Sequence, residues 1–163
     1  MPTVICVDLL NLACCAIEAA RGFELWRSQV SESDSLMVVT PGELRADDGS
    51  ASAPDLSILV VAGTVSKAQG DLVIQRYEAL PEPRAVVAFG VCTISGGPYW
   101  DSYSVLPGIE ALVEVDAMVP GCPPLPEDVA AVLDKVIAAK LGLATGADGL
   151  ATASQSAKAE AHA

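Results

Sequence analysis

Histidine is almost missing from this 163-residue chain: the single one, His162, stands next to the last residue. That position removes His-based acid–base catalysis and His-ligated metal chemistry from the body of the fold. Basic residues are scarce too, nine against twenty-one acidic ones, for a formal charge of −12. Nucleic-acid binding needs clustered Lys and Arg to neutralise phosphates, and docking on anionic lipid needs a basic patch. No nucleic-acid partner is therefore expected. No apolar run approaches the roughly 20 residues of a membrane-spanning helix; the longest, around Ile58–Ala62 and Ala85–Phe89, are strand-sized. A Gly-x-Gly-x-x-Gly dinucleotide fingerprint follows none of the predicted strands. Met1–Ala20 is apolar but lacks a basic opening and carries Asp8, Asn11 and Glu18, which makes a poor signal peptide. The chain is thus expected in a reducing compartment, where five cysteines serve as ligands or buried thiols rather than as disulfides.

Apolar residues, by contrast, are plentiful: 52% hydrophobic against 18% charged. That balance excludes a disordered chain, and in so short a domain it points to a surface partly covered by a partner. Short Val- and Ile-rich runs predict strands at Thr3–Val7, Leu36–Thr40, Leu56–Ala62, Ala85–Phe89 and Val113–Val119. Most lack polar alternation, as strands covered on both faces do. Helical spacing predicts helices from about Cys15 to Trp26, over Ser66–Leu80, and over Pro126–Leu141, the last opened by Pro126, Glu127 and Asp128. Strands alternating with helices predict an α/β, doubly wound domain with a mainly parallel sheet. Arg45–Pro54 is expected as a polar loop. Residues 1–144 form the expected domain, and 145–163, rich in Ala, Ser and Thr, are expected as a disordered tail.

Four cysteines occupy distinctive settings: Cys14 and Cys15 in LACCAIE, Cys92 in GVCTISGGPYW and Cys122 in VPGCPPLPE. Each segment follows a predicted parallel strand, at the edge where open α/β sheets build their sites. Gly90, Gly96, Gly97 and Gly121 surround them. Four thiolates on converging loops suit tetrahedral zinc or an iron–sulfur cluster. Adjacent Cα atoms are about 3.8 Å apart, so two neighbouring thiolates strain a mononuclear tetrahedron, whereas a cubane offers them separate irons. Cys-x-x-Cys knuckles, usual for zinc, are absent, and a 4Fe–4S cluster stands ahead of zinc. Cys6, inside an apolar strand, reads as a buried structural thiol. Glu18, three residues after Cys15, is a candidate redox-coupled proton acceptor or an ordinary helix-surface carboxylate. Tyr99, Trp100 and Tyr103 read as packing for the loop or for a subunit contact.

LACCAIE, DLSILVVAGTVS, LPEPRAVVAFGVC, GGPYWDSYSVLPG and VDAMVPGCPPLPE together resemble the B-type iron–sulfur subunit of bacterial NADH–quinone oxidoreductase, respiratory complex I, to which the small subunits of nickel–iron hydrogenases are related. The resemblance implies a flavodoxin-like, three-layer domain with one 4Fe–4S cluster on Cys14, Cys15, Cys92 and Cys122. It implies an electron-transfer subunit, inactive alone, on the cytoplasmic side of the cell membrane within a complex. Its implied partners are a larger complex I-type or hydrogenase large-type subunit, a neighbouring iron–sulfur subunit, the membrane arm and quinone. The tandem Cys14–Cys15 resembles the complex I branch; energy-converting hydrogenases typically show Cys-x-x-Cys there. However, Arg45–Asp55 (RADDGSASAPD) stands where complex I subunits usually carry an Arg/Pro-rich segment. Hydrogenase or formate hydrogenlyase-type assemblies therefore stay open, as does a non-redox flavodoxin-like interaction module.

Overall fold

The computed structural model describes residues 2–32, 35–46 and 53–142. The expected tail, 145–163, and most of the expected loop at 45–54 lie outside the described residues. Five described strands form one sheet: β1 (Thr3–Asn11), β2 (Leu36–Val39), β3 (Leu56–Ala62), β4 (Arg84–Phe89) and β5 (Ala117–Val119). Every pairing is parallel, in the order β2-β1-β3-β4-β5. This is the 2-1-3-4-5 order of flavodoxin-like sheets, with the crossovers reversing between β1 and β3.

β3 is central, and all seven of its residues are buried. Its odd and even positions feed two separate cores. Ile58 and Val60, with Val7 and Val87, pack against α1 (Ala16–Ser31) and α5 (Glu127–Leu141). Leu59 and Val61 pack instead with Val73 and Leu80 of the α3 (Gly70–Ala79) segment and with Ile109 and Val113. Helices thus cover both faces, and the domain has the three layers expected.

α1 and α5 close tightly because Gly22 faces α5; a Cβ there would meet the Pro126 carbonyl oxygen and stand 2.6 Å from Val129 Cγ2. The contact is fixed in direction by the Trp26 indole Nε1–H, which donates to Asp134 Oδ1 at 2.8 Å. α5 opens with Glu127 and Asp128, acids that suit a helix N-terminus, and ends at Gly142, whose φ of 67° only glycine adopts freely.

Several elements differ from the sequence expectation. β1 continues to Asn11, past Asp8, whose carboxylate is buried but lies 3.5 Å from Arg76. α1 runs beyond Trp26 to Ser31, because Val30 extends its buried stripe. β5 begins at Ala117 rather than Val113: Val113 N–H donates to the Ile109 carbonyl at 3.1 Å, just after the 3₁₀ turn Ile109–Ala111, and Asp116 instead pairs with Val86 through its backbone and carboxylate. Two short helices, α2 (Pro41–Ala46) and α4 (Val91–Ser95), are additional, and α2 takes the first two residues of the expected loop.

Candidate metal centre

The cysteine-bearing segments leave the carboxyl ends of β1, β4 and β5. β1 and β4 are not neighbours, since β3 lies between them. The β1–α1 loop bridges that gap by passing over the end of β3: Leu12 N–H donates to the Ala62 carbonyl at 2.9 Å. Gly63, at φ +100°, makes the crossing possible, because a Cβ there would stand 2.6 Å from the Ala13 nitrogen. Sequence reasoning did not single out Gly63. Its signal, a glycine directly after the most apolar strand, becomes informative only once the strand order is known.

Beyond the crossing, the Cys15 carbonyl accepts from Ala19 N–H at 3.0 Å as α1 begins. Cys15 is buried, with 1% of its surface exposed, whereas Cys14 is exposed. Cys92 lies in the first turn of α4, 2% exposed. Gly90 N–H donates to the Val119 carbonyl at 2.8 Å and Val91 N–H to the Gly121 carbonyl at 3.0 Å. These two bonds tie the Cys92 loop to the Cys122 loop. Cys122 itself is exposed.

Three of the candidate cysteines act on the surroundings of the fourth, Cys15. Burial pushes the Cys15 thiol up to about 12, helped by Cys14 through charge and a hydrogen bond, and then by Cys92 and Cys122. The cause is a disfavoured thiolate, buried and beside other sulfurs, and a cationic group bound there would favour it. Among the described residues, no three Cys, His, Asp or Glu side chains stand at the spacing of one metal ion. Cys6 is apart from the set. It lies five residues back along β1 from Asn11, roughly 17 Å of strand, fully buried and raised to about 11 by burial, then by Asp8 and Glu43.

The segments that carry the thiols, and the one that follows Cys92, expose large apolar side chains. Ile17 is 75% exposed, Trp100 74% and Tyr103 87%, with Tyr99 and Leu125 also exposed. The three aromatics thus do not pack the loop within the chain. Glu18 is half-buried, and its Oε2 is enclosed with no hydrogen-bond partner.

A sequence profile for the NADH ubiquinone oxidoreductase 20 Kd subunit matches residues 13–136, a span that begins one residue before Cys14 and includes Cys15, Cys92 and Cys122. The chain belongs to this family. It is 39% identical over 121 residues to a B-type NADH-quinone oxidoreductase subunit of Streptomyces griseus, covering 72% of this chain and 45% of that protein. The corresponding NADH-quinone oxidoreductase subunit of Carboxydothermus hydrogenoformans is 39% identical over 128 residues, covering 72% and 63%. The chain therefore spans about half to two thirds of the length of those relatives. Solved structures share its fold. A chain of the archaeal membrane-bound sulfane sulfur reductase has a TM-score of 0.52 at 24% identity, covering 83% of this chain and 68% of that one. The nickel–iron–selenium hydrogenase of Desulfomicrobium baculatum gives 0.50 at 16% identity, covering 85% and 62%.

Proposed function

We propose that this chain is an electron-transfer subunit of a complex I-like, membrane-associated oxidoreductase, holding one 4Fe–4S cluster on Cys14, Cys15, Cys92 and Cys122 and delivering electrons towards quinone. The observation that carries it is the meeting of the three cysteine-bearing loops at one sheet edge: the β1–α1 loop crosses the end of β3, Gly90 lies against Cys15 Sγ, and two backbone hydrogen bonds tie the Cys92 loop to the Cys122 loop. The donor set is all sulfur and fits the group. When bound, the cluster supplies a site that takes up and releases one electron at a time.

The chain's own residues hold, bury and present. Cys15 and Cys92 lie away from water, which keeps half of the donor set dry. The apolar rim of Ile17, Trp100, Tyr103 and Leu125 is the surface a larger, complex I-type subunit would cover, shielding exposed Cys14 and Cys122. A neighbouring iron–sulfur subunit is the proposed donor. No described helix is long and apolar enough to cross a membrane; attachment on the cytoplasmic side would run through the complex.

Anaerobic iron and sulfide analysis with EPR tests the assignment. About four irons and four sulfides per chain are expected, lost in Cys92→Ala or Cys122→Ala and kept in Cys6→Ala. Stoichiometric zinc without inorganic sulfide would sink it. The replaced segment Arg45–Asp55 favours a second reading, a hydrogenase- or formate hydrogenlyase-type assembly. Two Cys-x-x-Cys pairs for nickel–iron in the large partner's sequence would decide for it.

A further inference from the structure

The four thiols fall into two kinds: Cys15 and Cys92 are buried, and Cys14 and Cys122 are exposed. Both buried sulfurs are backed by glycine. A Cβ on Gly90 would stand 2.8 Å from Cys15 Sγ, while its next neighbours, the Gly121 oxygen and Cys15 Cβ, lie at ordinary contact distances of 3.7 and 3.8 Å. The sulfur is thus the one atom in the way. A Cβ on Gly97 would stand 2.9 Å from Cys92 Sγ, then 3.0 Å from Val91 Cγ2 and 3.2 Å from the Cys92 nitrogen. Non-bonded heavy atoms of this size prefer about 3.5–4.0 Å.

A crowded thiol escapes by turning about its Cα–Cβ bond into another staggered position. Alanine at either glycine would therefore leave the two sheet cores intact and re-aim a sulfur. Gly90 is also where the loops meet: its missing side chain would lie between Cys15 and Gly121, and its own N–H is already given to Val119.

We propose that Gly90 and Gly97 are positioning residues for the buried half of the cluster site, fixing the directions of the Cys15 and Cys92 sulfurs by presenting no Cβ. The exposed Cys14 and Cys122 then complete a set whose inner pair is already aimed. The inference rests on the cluster assignment above and deepens it, because it separates residues that bind iron from residues that aim the binders.

The backbone complicates a test at Gly90, where φ +100° and ψ 154° strain any L-residue. Gly97, at φ +56°, sits in the left-handed region that side chains tolerate better. Gly42, whose added Cβ would meet only Thr40 Oγ1 at 3.9 Å, is the control. The full chain is purified anaerobically as Gly90→Ala, Gly97→Ala and Gly42→Ala, with iron, sulfide, EPR spectrum and apo-protein melting measured for each. Gly90→Ala and Gly97→Ala should still melt cooperatively as apo-proteins. They should lose iron to a chelator with about tenfold weaker retention, or show shifted g-values, while Gly42→Ala matches the wild type. The fall in apo-protein melting temperature caused by Gly90→Ala should also shrink in a Cys15→Ala background, where the sulfur is gone. Wild-type iron retention and spectra in both alanine variants, or equal melting losses in the two backgrounds, would overturn the proposal while leaving the cluster assignment standing. A wild-type chain without iron and sulfide would overturn both.

Discussion

Two buried cysteines show how neighbours rather than burial decide what a thiol is for. Cys6 and Cys15 are both raised well above the ordinary 9.0, chiefly by burial, and both are protonated at neutrality. The neighbours of Cys6 are carboxylates, Asp8 and Glu43; those of Cys15 are the three other thiols of the proposed cluster site. Directly across the ladder from Cys6 stands Ser57, fully buried, with an Oγ that has no hydrogen-bond partner. A buried hydroxyl left unpaired costs about 1–3 kcal/mol of desolvation, and the central strand tolerates it because the apolar pairs around it carry the sheet. Ser57→Ala removes the orphaned oxygen with little change of shape. We expect stability unchanged or raised by about 1 kcal/mol, read from the urea midpoint of the apo-protein; a fall beyond that size would reveal a partner for the hydroxyl.

Elements were legible in the sequence where burial wrote a long pattern. β3 appears at Leu56–Ala62 as expected because both its faces are covered, and α5 appears because five buried positions repeat at helical spacing. β5 was overextended because Val113–Asp116 alternates like a strand, yet a 3₁₀ turn and Asp116 hold it. α4 has five residues, too few to generate a stripe. α2 has only six, but its start is written in Thr40-Pro41-Gly42-Glu43, a capping box: Thr40 N–H donates to Glu43 Oε2 at 2.6 Å, and Glu43 N–H to Thr40 Oγ1 at 3.4 Å. The strand-end placement of the cysteines could be read directly. That their loops converge followed from the expected topology; how the first loop crosses the end of β3 to reach the others did not, since it depends on Gly63 and on the strand order. The α2 cap also makes a pH prediction. Arg27, which bonds Glu43 at 2.6 Å, and the Thr40 N–H hold the Glu43 carboxyl below its ordinary 4.5. A lowered folded pKa gives stability that is fully present above the ordinary value and lost as pH falls through the lowered one. The pair is largely exposed, so the contribution is below about 1 kcal/mol. The difference in melting temperature between wild type and Glu43→Gln should be constant near neutrality and shrink below pH 4.5. A difference that grows with acidification would show that the carboxylate is not the stabilising form.

At the scale of the whole molecule, charge and apolar surface together bear on autonomy. The chain carries −12 overall, and a compact body so charged repels itself and any further negative charge placed on it. Reducing the proposed cluster would add such charge at the sheet edge where Cys14 and Cys122 are exposed. The segments leaving that edge expose Ile17, Trp100 and Tyr103, large side chains that a free monomer gains nothing by exposing. One partner surface would meet both needs, burying the rim and supplying compensating positive charge, and electrostatic steering would make its association faster at low ionic strength. The sequence carries neither the usual dinucleotide fingerprint nor any histidine but His162. We therefore expect the isolated chain, purified with its iron and sulfide intact, to oxidise no NADH and to reduce no quinone. Activity should return only in a complex that holds both the larger subunit covering the rim and the iron–sulfur donor, and Trp100→Asp should weaken that recovery while leaving iron content unchanged. The measurement is NADH–quinone turnover of the chain alone and with its partner. Turnover by the chain alone at the rate of the complex would place a catalytic site within these residues and end the electron-relay proposal.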